Sequence, residues 1–236
     1  LRNSSAASDV YKRQGFIGTG VMGNPMASHI LKEGYELYVY NRTSAKTQSL
    51  VASGAHACDS PGSVAEMCDI IFAIVGFPKD VETVFLGSNG IVEKAKPGSI
   101  IVDMTTSTPD LAKKIASVAI KKGLHSLDAP VSGGDVGAKS GMLSIMVGGK
   151  KEIFNRVLPL FELMGSNVVY QGSAGSGQHT KMANQIGIAS SMLAMCESLT
   201  YAKAAGLDQK TVLKSISSGA AGSWSLTNFG ATYFTR

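Results

Sequence analysis

The sequence predicts an α/β fold with a doubly wound, mostly parallel sheet, followed by a long helix and the start of an all-helical region. Two observations support this prediction. From Gly15 to Gly172, short apolar runs alternate with amphipathic stretches, which is the pattern of βαβ units. After a glycine- and serine-rich segment that ends at Gly177, helix-compatible sequence continues to Ala205. Gly206 then provides the end signal of this helix.

The elements follow from the apolar runs and from helix start signals. Thr108-Pro109 is typical of a helix start, and Ser63 and Glu66 have the spacing of a capping box. Strands are predicted over 14–17, 36–40, 70–75, 100–103, 124–128, 143–147 and 168–170. Helices before the long one are predicted over 22–33, 44–53, 64–68, 80–85, 110–122 and 151–164, and another follows it over 208–218.

Composition excludes several classes of function. The 236 residues are 44% hydrophobic with a net charge of +5. Basic residues are scattered and do not interleave with aromatic ones, so we predict no nucleic-acid surface. The longest apolar run, 70–75, is far too short to span a membrane. The three cysteines and four histidines show no ligand spacing, so we predict no metal site and a reducing, cytoplasmic location.

A glycine-rich segment, Gly-Thr-Gly-Val-Met-Gly at 18–23, lies between the first predicted strand and the first predicted helix. Gly18 permits a tight turn, Gly20 lets the backbone approach a pyrophosphate, and Gly23 lets the helix pack close to the strand. The helix N-terminus offers free N–H groups to phosphates. Because another strand follows, the segment favours a Rossmann-like dinucleotide site over a simple glycine turn.

The end of the second strand bears on the choice between NAD and NADP. NAD-binding proteins usually carry Asp or Glu there for the ribose hydroxyls, whereas this chain has Asn41, Arg42 and Thr43. Arg42 can stack on adenine or pair with a 2′-phosphate. We therefore predict NADP as the preferred cofactor, with NAD as the other possibility. The alternative for Arg42 is an ordinary solvated loop residue.

Two further loops are predicted to leave the carboxyl ends of the sheet, where ligands bind in open α/β folds. They are 75–78, which contains Phe77, and 103–109, which contains Thr105. The second loop could contact the nicotinamide ribose, or Ser107 or Thr108 could cap the helix at Pro109. The residues predicted to contact the cofactor are Gly18, Thr19, Gly20, Val21, Met22, Gly23, Asn41, Arg42, Thr43, Phe77 and Thr105.

Two later segments suggest a substrate site. The segment 128–134 ends a strand and contains Ser132, Gly133 and Gly134, whose hydroxyl and N–H groups could hold an anion; an ordinary strand-ending loop is the alternative. Lys181 stands near the start of the long helix, with the amides Asn184 and Gln185 three and four residues further on. That spacing places them on one helix face, although a lysine on a helix is usually a solvated surface residue.

The predicted organisation has three parts. Residues 1–14 resemble a foreign or disordered leader, 15–172 form the dinucleotide-binding Rossmann domain, and 173–236 form the long interdomain helix and an incomplete helical domain. The apolar residues along the long helix need cover. We therefore expect a homo-oligomer, a dimer or a tetramer.

Together these motifs resemble the β-hydroxyacid dehydrogenase family, which includes 3-hydroxyisobutyrate dehydrogenase and tartronate semialdehyde reductase. The matching segments are 15–26, 40–43, 103–109, 128–134, 146–149 and 175–185. The resemblance implies an NAD(P)-dependent oxidoreductase that binds a small carboxylate substrate at Ser132, Gly133 and Gly134. It also implies Lys181 as the general acid/base, with Asn184 assisting. Further helices of the family would follow Arg236, so we expect a truncated chain.

Two alternatives stay open at this point. Imine reductases share the architecture, but they generally lack a lysine at the position of Lys181. A non-catalytic NADP-binding module, or an inactive fragment, is the other possibility. The sequence does not decide which small hydroxy acid or semialdehyde is the substrate.

Overall fold

The computed structural model describes residues 13–230, and within this range nine strands form one sheet. The strands run in the order β3-β2-β1-β4-β5-β6-β8-β7, and β9 pairs with β8. Neighbours from β3 to β6 are parallel, β8 is antiparallel to β6 and β7, and β9 is parallel to β8. The strands are β1 (Arg13–Ile17), β2 (Glu36–Tyr40), β3 (His56–Ala57), β4 (Ile70–Ala73), β5 (Ile100–Asp103), β6 (His125–Asp128), β7 (Val131–Ser132), β8 (Leu143–Gly149) and β9 (Gly165–Gly172).

Helices flank this sheet and continue after it, which confirms the predicted α/β class with a mostly parallel sheet and a long following helix. A 3₁₀ turn at Ser44–Thr47 precedes α2. The helices are α1 (Gly23–Lys32), α2 (Gln48–Ala52), α3 (Pro61–Met67), α4 (Pro78–Leu86), α5 (Ile91–Lys94), α6 (Pro109–Lys121), α7 (Gly134–Ser140), α8 (Lys151–Met164), α9 (Ser176–Ala204), α10 (Gln209–Ser217) and α11 (Trp224–Phe229).

Alternating strand residues build a hydrophobic core on each face of the sheet. Phe16 and Phe72 belong to one buried cluster, and their rings stack with centroids 6.1 Å apart. The adjacent residues Ile17 and Ile71 belong to the other cluster. Successive side chains of a strand point to opposite faces, so the central strands are buried on both sides and read as continuous apolar runs.

The start of β1 corrects the predicted leader. Arg13 and Gln14, the last two residues assigned to it, lie in β1 and pair with β2. Backbone pairing along the parallel ladder does not depend on apolar side chains, so polar residues can begin this strand. The rest of the predicted leader, 1–12, lies outside the described residues.

The predicted capping box at Ser63 and Glu66 is wrong. The box instead joins Ser60, the N-cap of α3, to Ser63: the Ser60 hydroxyl accepts from Ser63 N at 3.0 Å, and the Ser63 hydroxyl accepts from Ser60 N at 3.0 Å. Proline is favoured at the first helical position, so Pro61 starts the helix three residues earlier than predicted. The elements β3, β7, α5, α7 and α11 were not predicted, because two-residue strands and helices of one or two turns are too short to carry a periodic pattern.

The chain divides into two compact units, Leu1–Lys181 and Met182–Arg236. In the second unit, Met195, Leu199 and Leu226 form a small buried cluster, and the Ser191 and Ser225 hydroxyls lie 2.9 Å apart. A domain boundary near Ser173 stays a prediction. Among the described residues, no helix combines the length and the apolar character that crossing a membrane requires.

Candidate active site

The glycine-rich loop connects β1 to α1 with a geometry that suits a pyrophosphate. Gly18 has a φ of +90°, which side chains rarely adopt. A Cβ on Gly23 would overlap the carbonyl oxygen of Gly18 and lie 2.9 Å from the Ile74 side chain. Beside Gly20, in contrast, no atom lies within 4 Å of the position that a Cβ would take. The loop therefore packs tightly inward and leaves its outer backbone open.

A cleft of about 660 Å³ adjoins this loop. Eight of the eleven predicted cofactor residues line it: Gly18, Gly20, Val21, Met22, Gly23, Asn41, Arg42 and Thr43. Lys46, which was not predicted, also lines the cleft, and Asp80 and Thr83 of α4 contribute to the lining as well. Lys46 lies in the 3₁₀ turn after β2, four residues after Arg42, and no sequence motif marks it.

The remaining three predicted cofactor residues lie outside the cleft lining. Thr19 is 2% exposed, and its hydroxyl donates to the carbonyl oxygen of Lys46 at 3.0 Å. Thr105 is 3% exposed, and its hydroxyl accepts from Val75 N at 3.0 Å. Phe77 is 72% exposed at the N-cap of α4. Thr19 and Thr105 therefore hold neighbouring loops in place.

Asn41 links the glycine-rich loop to the end of β2. Its Oδ1 accepts from Thr19 N at 3.0 Å, and its Nδ2 donates to the carbonyl oxygen of Thr43 at 3.0 Å. The amide side chain thus satisfies one backbone group on each segment and fixes two walls of the cleft relative to each other.

Arg42 forms an ion pair that the sequence did not predict. Its Nη1 donates to Asp80 Oδ1 at 3.2 Å, and the Arg42 side chain is 86% exposed. The other carboxylate oxygen of Asp80 accepts from Phe77 N at 3.1 Å. Asp80 therefore serves the N-terminus of α4 and the end of β2 at the same time.

The loop after β5 is fixed by buried polar contacts. Asp103, the last residue of β5, accepts from Thr105 N at 2.9 Å. Gln178 of α9 donates through Nε2 to the carbonyl oxygen of Thr105 at 2.7 Å and accepts from Ser107 N at 2.9 Å. Thr108 caps α6 by accepting from Leu111 N at 3.2 Å, which identifies Thr108 rather than Ser107 as the helix cap.

Two carboxyl groups lie at the ends of adjacent strands, where this loop begins. Asp103 and Asp128 are register partners at the ends of β5 and β6. Burial raises the pKa of Asp103 to about 7, partly offset by its hydrogen bonds from Thr105, and the neighbouring Asp128 raises it further. Burial also raises the pKa of Asp128, against backbone hydrogen bonds from Gly175, Gln178 and Gly177 that lower it.

The predicted substrate loop contains regular structure: the end of strand β7 and the start of helix α7. Ser132 ends β7 and is paired in register with Ser144 of β8. Gly133 and Gly134 have φ values of +128° and +63°, and α7 begins at Gly134. Backbone angles of this kind are open to glycine and costly for other residues. The structure thus places the Ser132 hydroxyl and Gly133 directly before a helix, and Gly134 at its first position.

Lys181 lies in the second turn of α9 and is 7% exposed. Burial lowers the pKa of its ammonium group. Among residues 13–230, none forms a salt bridge or a hydrogen bond with its side chain. A buried lysine without a partner is uncommon in proteins, so Lys181 is a candidate for chemistry.

The first turn of α9 explains how Lys181 is held. Asp128 Oδ1 accepts from Gly175 N at 2.8 Å, and Oδ2 accepts from Gln178 N at 2.9 Å. Gly177 has no side chain at a point where a Cβ would lie 2.6 Å from the carbonyl oxygen of Asp128. The helix therefore starts in close contact with the end of β6.

Asn184 and Gln185 belong to the second unit; Asn184 is half-buried and Gln185 is exposed. Asn184 Nδ2 donates to Gln185 Oε1 at 3.0 Å. Both residues lie one turn further along α9 than Lys181.

In the described part of the chain, no group of three or more His, Cys, Asp or Glu side chains could hold a metal ion.

Comparison with known proteins places the chain among nicotinamide-dependent enzymes. Residues 13–172 match the family model for the NAD-binding domain of 6-phosphogluconate dehydrogenase. Residues 175–236 match the model described as NAD-binding of NADP-dependent 3-hydroxyisobutyrate dehydrogenase. The two models together cover nearly all of the described chain.

Individual relatives agree with these matches. An uncharacterized oxidoreductase of Bacillus subtilis is 56% identical over 92% of this chain and 75% of its own length. The 2-hydroxy-3-oxopropionate reductase of Escherichia coli is 40% identical over 94% of this chain and 76% of its own. A solved structure of Mycobacterium tuberculosis 3-hydroxyisobutyrate dehydrogenase with L-serine superposes with a TM-score of 0.83, at 25% identity, over 92% of this chain and 74% of that one.

Proposed function

The chain belongs to the β-hydroxyacid dehydrogenase family and is an NAD(P)-dependent oxidoreductase, and we propose that its substrate is a small β-hydroxy acid or the corresponding semialdehyde. Relatives named 3-hydroxyisobutyrate dehydrogenase and 2-hydroxy-3-oxopropionate reductase support this class. Both names denote compounds with a carboxylate close to the reacting carbon. L-serine, present with the Mycobacterium tuberculosis enzyme, is a β-hydroxy acid of the same size.

The preferred cofactor in this proposal is NADP. Arg42 and Lys46 bring two positive charges to the cleft lining at the end of β2, and Arg42 can bind a phosphate with two parallel hydrogen bonds. The end of β2 itself carries no carboxylate for a ribose 2′-hydroxyl. The open backbone beside Gly20 leaves room for the pyrophosphate.

Lys181 is the proposed proton carrier. When bound, the nicotinamide accepts the hydride in oxidation and supplies it in reduction. In oxidation, the neutral amine of Lys181 takes the proton of the substrate hydroxyl; in reduction, its ammonium form returns a proton to the carbonyl oxygen. A lysine whose pKa is lowered by burial is neutral at a lower pH than an exposed one, which suits a general base.

The carboxylate of the substrate is proposed to bind at the start of α7. Ser132 offers a hydroxyl, and Gly133 and Gly134 present their backbone without side-chain obstruction. Asn184 is proposed to assist Lys181 from the next turn of α9. We also propose a homo-oligomer, supported by exposed apolar residues on α9 such as Ile186 and Leu193, and a cytoplasmic location.

The observation that carries the proposal is a buried lysine without a side-chain partner among residues 13–230, on a helix whose first turn is hydrogen-bonded to the end of β6 and to the loop after β5. The test is a panel of short β-hydroxy acids and semialdehydes with both cofactors, using the chain as it stands and Lys181→Met. We expect turnover by the wild type, loss of at least about 10²-fold in the variant, and unchanged cofactor affinity. NADPH binding without turnover of any compound would favour a non-catalytic module, and undiminished turnover by Lys181→Met would exclude Lys181.

A further inference from the structure

The ion pair between Arg42 and Asp80 joins two walls of the cofactor cleft. Arg42 follows β2, and Asp80 lies in the first turn of α4, 38 residues later. Both residues line the cleft. Arg42 is the residue expected to bind a 2′-phosphate. Its carboxylate partner Asp80 is therefore expected to lie near the ribose 2′ position, at which NAD and NADP differ.

We propose that Asp80 is a specificity-determining residue that weakens binding of the 2′-phosphate and so allows NAD to be used beside NADP. This inference rests on the proposed cofactor role of the cleft. Asp80 supplies from α4 the carboxylate that the end of β2 lacks.

Electrostatics gives the direction of the effect. A 2′-phosphate that approaches Arg42 must share the guanidinium with a carboxylate 3.2 Å from it, and it is repelled by that carboxylate. A ribose 2′-hydroxyl meets no such repulsion, and it can donate a hydrogen bond to a carboxylate. Asp80 therefore favours the hydroxyl over the phosphate, and Arg42 and Lys46 favour the phosphate over the hydroxyl.

The position of Asp80 is fixed, so its charge cannot simply move away when a ligand arrives. One oxygen accepts from Phe77 N at 3.1 Å at the start of α4, and the other accepts from Arg42. The Asp80 side chain is 30% exposed, whereas that of Arg42 is 86% exposed. The exposed arginine thus has room to turn toward a phosphate, whereas the carboxylate is held at the start of the helix.

The test compares two nucleotides that differ only at the 2′ position: adenosine 2′,5′-bisphosphate and adenosine 5′-monophosphate. Their dissociation constants are measured by calorimetry for the wild type and for Asp80→Asn, in which the amide oxygen can still accept from Phe77 N. Glu82→Gln is the matched control, because it removes a negative charge from the same helix, where Glu82 pairs with Lys114 at 2.6 Å outside the cleft lining.

We expect Asp80→Asn to bind the bisphosphate about fivefold to tenfold more tightly at low salt, and to bind the monophosphate no more tightly. Glu82→Gln should leave the ratio of the two affinities unchanged, and added salt should shrink the effect of Asp80→Asn. If the ratio of the two affinities did not change in Asp80→Asn, or if it changed equally in Glu82→Gln, the role proposed for Asp80 would be wrong, while the proposed cofactor site would stand. If neither nucleotide bound the wild type, the proposed cofactor site would fail, and this inference with it.

Discussion

The carboxylate of Asp128 caps the first turn of α9 by accepting the backbone N–H of Gln178, with 2.9 Å between Oδ2 and the nitrogen. The Gln178 side chain in turn binds the loop after β5 through Thr105 and Ser107. The end of β6, the loop after β5 and the helix that carries Lys181 are thereby joined by buried hydrogen bonds. The location of Lys181 depends on this junction.

Replacing Asp128 with asparagine should loosen the junction. The amide has one acceptor oxygen where the carboxylate has two, so one backbone N–H of Gly175 or Gln178 would face an NH₂ group. We expect the free energy of unfolding to fall by about 1–3 kcal/mol, and turnover to fall more than cofactor affinity. Urea unfolding measures the stability, steady-state assays measure the turnover, and fluorescence titration with NADPH measures the cofactor affinity.

Asp110→Asn is the control for this change, because Asp110 is 97% exposed at the start of another helix, α6. It should leave stability and turnover close to wild type. Equal effects of the two substitutions would contradict a special role for the Asp128 cap.

Asp103 should make stability depend on pH. Its pKa is raised to about 7 by burial, so the folded state keeps a proton that the unfolded chain loses near pH 4. The stabilisation is present below pH 4 and is lost as pH rises to about 7. Relative to Asp103→Asn, the wild type should lose stability as pH rises through that window, as measured by urea unfolding at several pH values. Parallel curves for the two proteins would show that Asp103 does not titrate in this way.

Lys181→Met should stabilise the folded protein at neutral pH. Burial lowers the pKa of Lys181, so its charged form is disfavoured in the folded state, and the folded lysine gains stability only as pH rises through the lowered pKa toward its ordinary value. Methionine fills similar space without a charge. Thermal unfolding should give a higher melting temperature for the variant at pH 7, and the difference should shrink at alkaline pH. A lower melting temperature of Lys181→Met at pH 7 would show that the lysine does not destabilise the folded state in this way.

Two glycines of the cofactor loop should respond differently to alanine. Gly20→Ala should leave stability within about 1 kcal/mol, because no atom lies within 4 Å of the new Cβ, but it should weaken NADPH binding by about tenfold by obstructing the pyrophosphate. Gly23→Ala should instead destabilise the fold by about 1–3 kcal/mol, because its Cβ would overlap the Gly18 carbonyl. Calorimetric titration and urea unfolding separate these outcomes, and loss of stability in Gly20→Ala would refute the proposed role of its open side.

The local parts of this structure could be predicted from the sequence. The buried strands are continuous apolar runs, and the glycine-rich loop needs glycine at defined positions. Each of these signals lies within a few consecutive residues, so the sequence alone reveals it. The contacts of Asp80 and Gln178 could not be predicted in this way. Arg42 and Asp80 are 38 residues apart, and Ser107 and Gln178 are 71 apart, so only the folded sheet brings them together.

The same limit applies to the roles of particular residues. Thr19 and Thr105 have the hydroxyl groups expected of cofactor ligands, yet the fold uses both hydroxyls for neighbouring backbone groups. Lys46 has no motif position, but the turn after β2 places it in the cleft lining. A polar side chain near a ligand site can serve the loop or the ligand, and sequence spacing does not separate these roles.

The pH dependence of hydroxy-acid oxidation, measured for the wild type and for Lys181→Met, tests the central claim most directly. If Lys181 accepts the hydroxyl proton, the wild-type rate should rise with pH and level off below the ordinary lysine pKa of 10.5, because burial lowers the pKa of this residue. Lys181→Met should lose both the rate and this rise. A variant with wild-type turnover and the same pH profile would show that another group carries the proton.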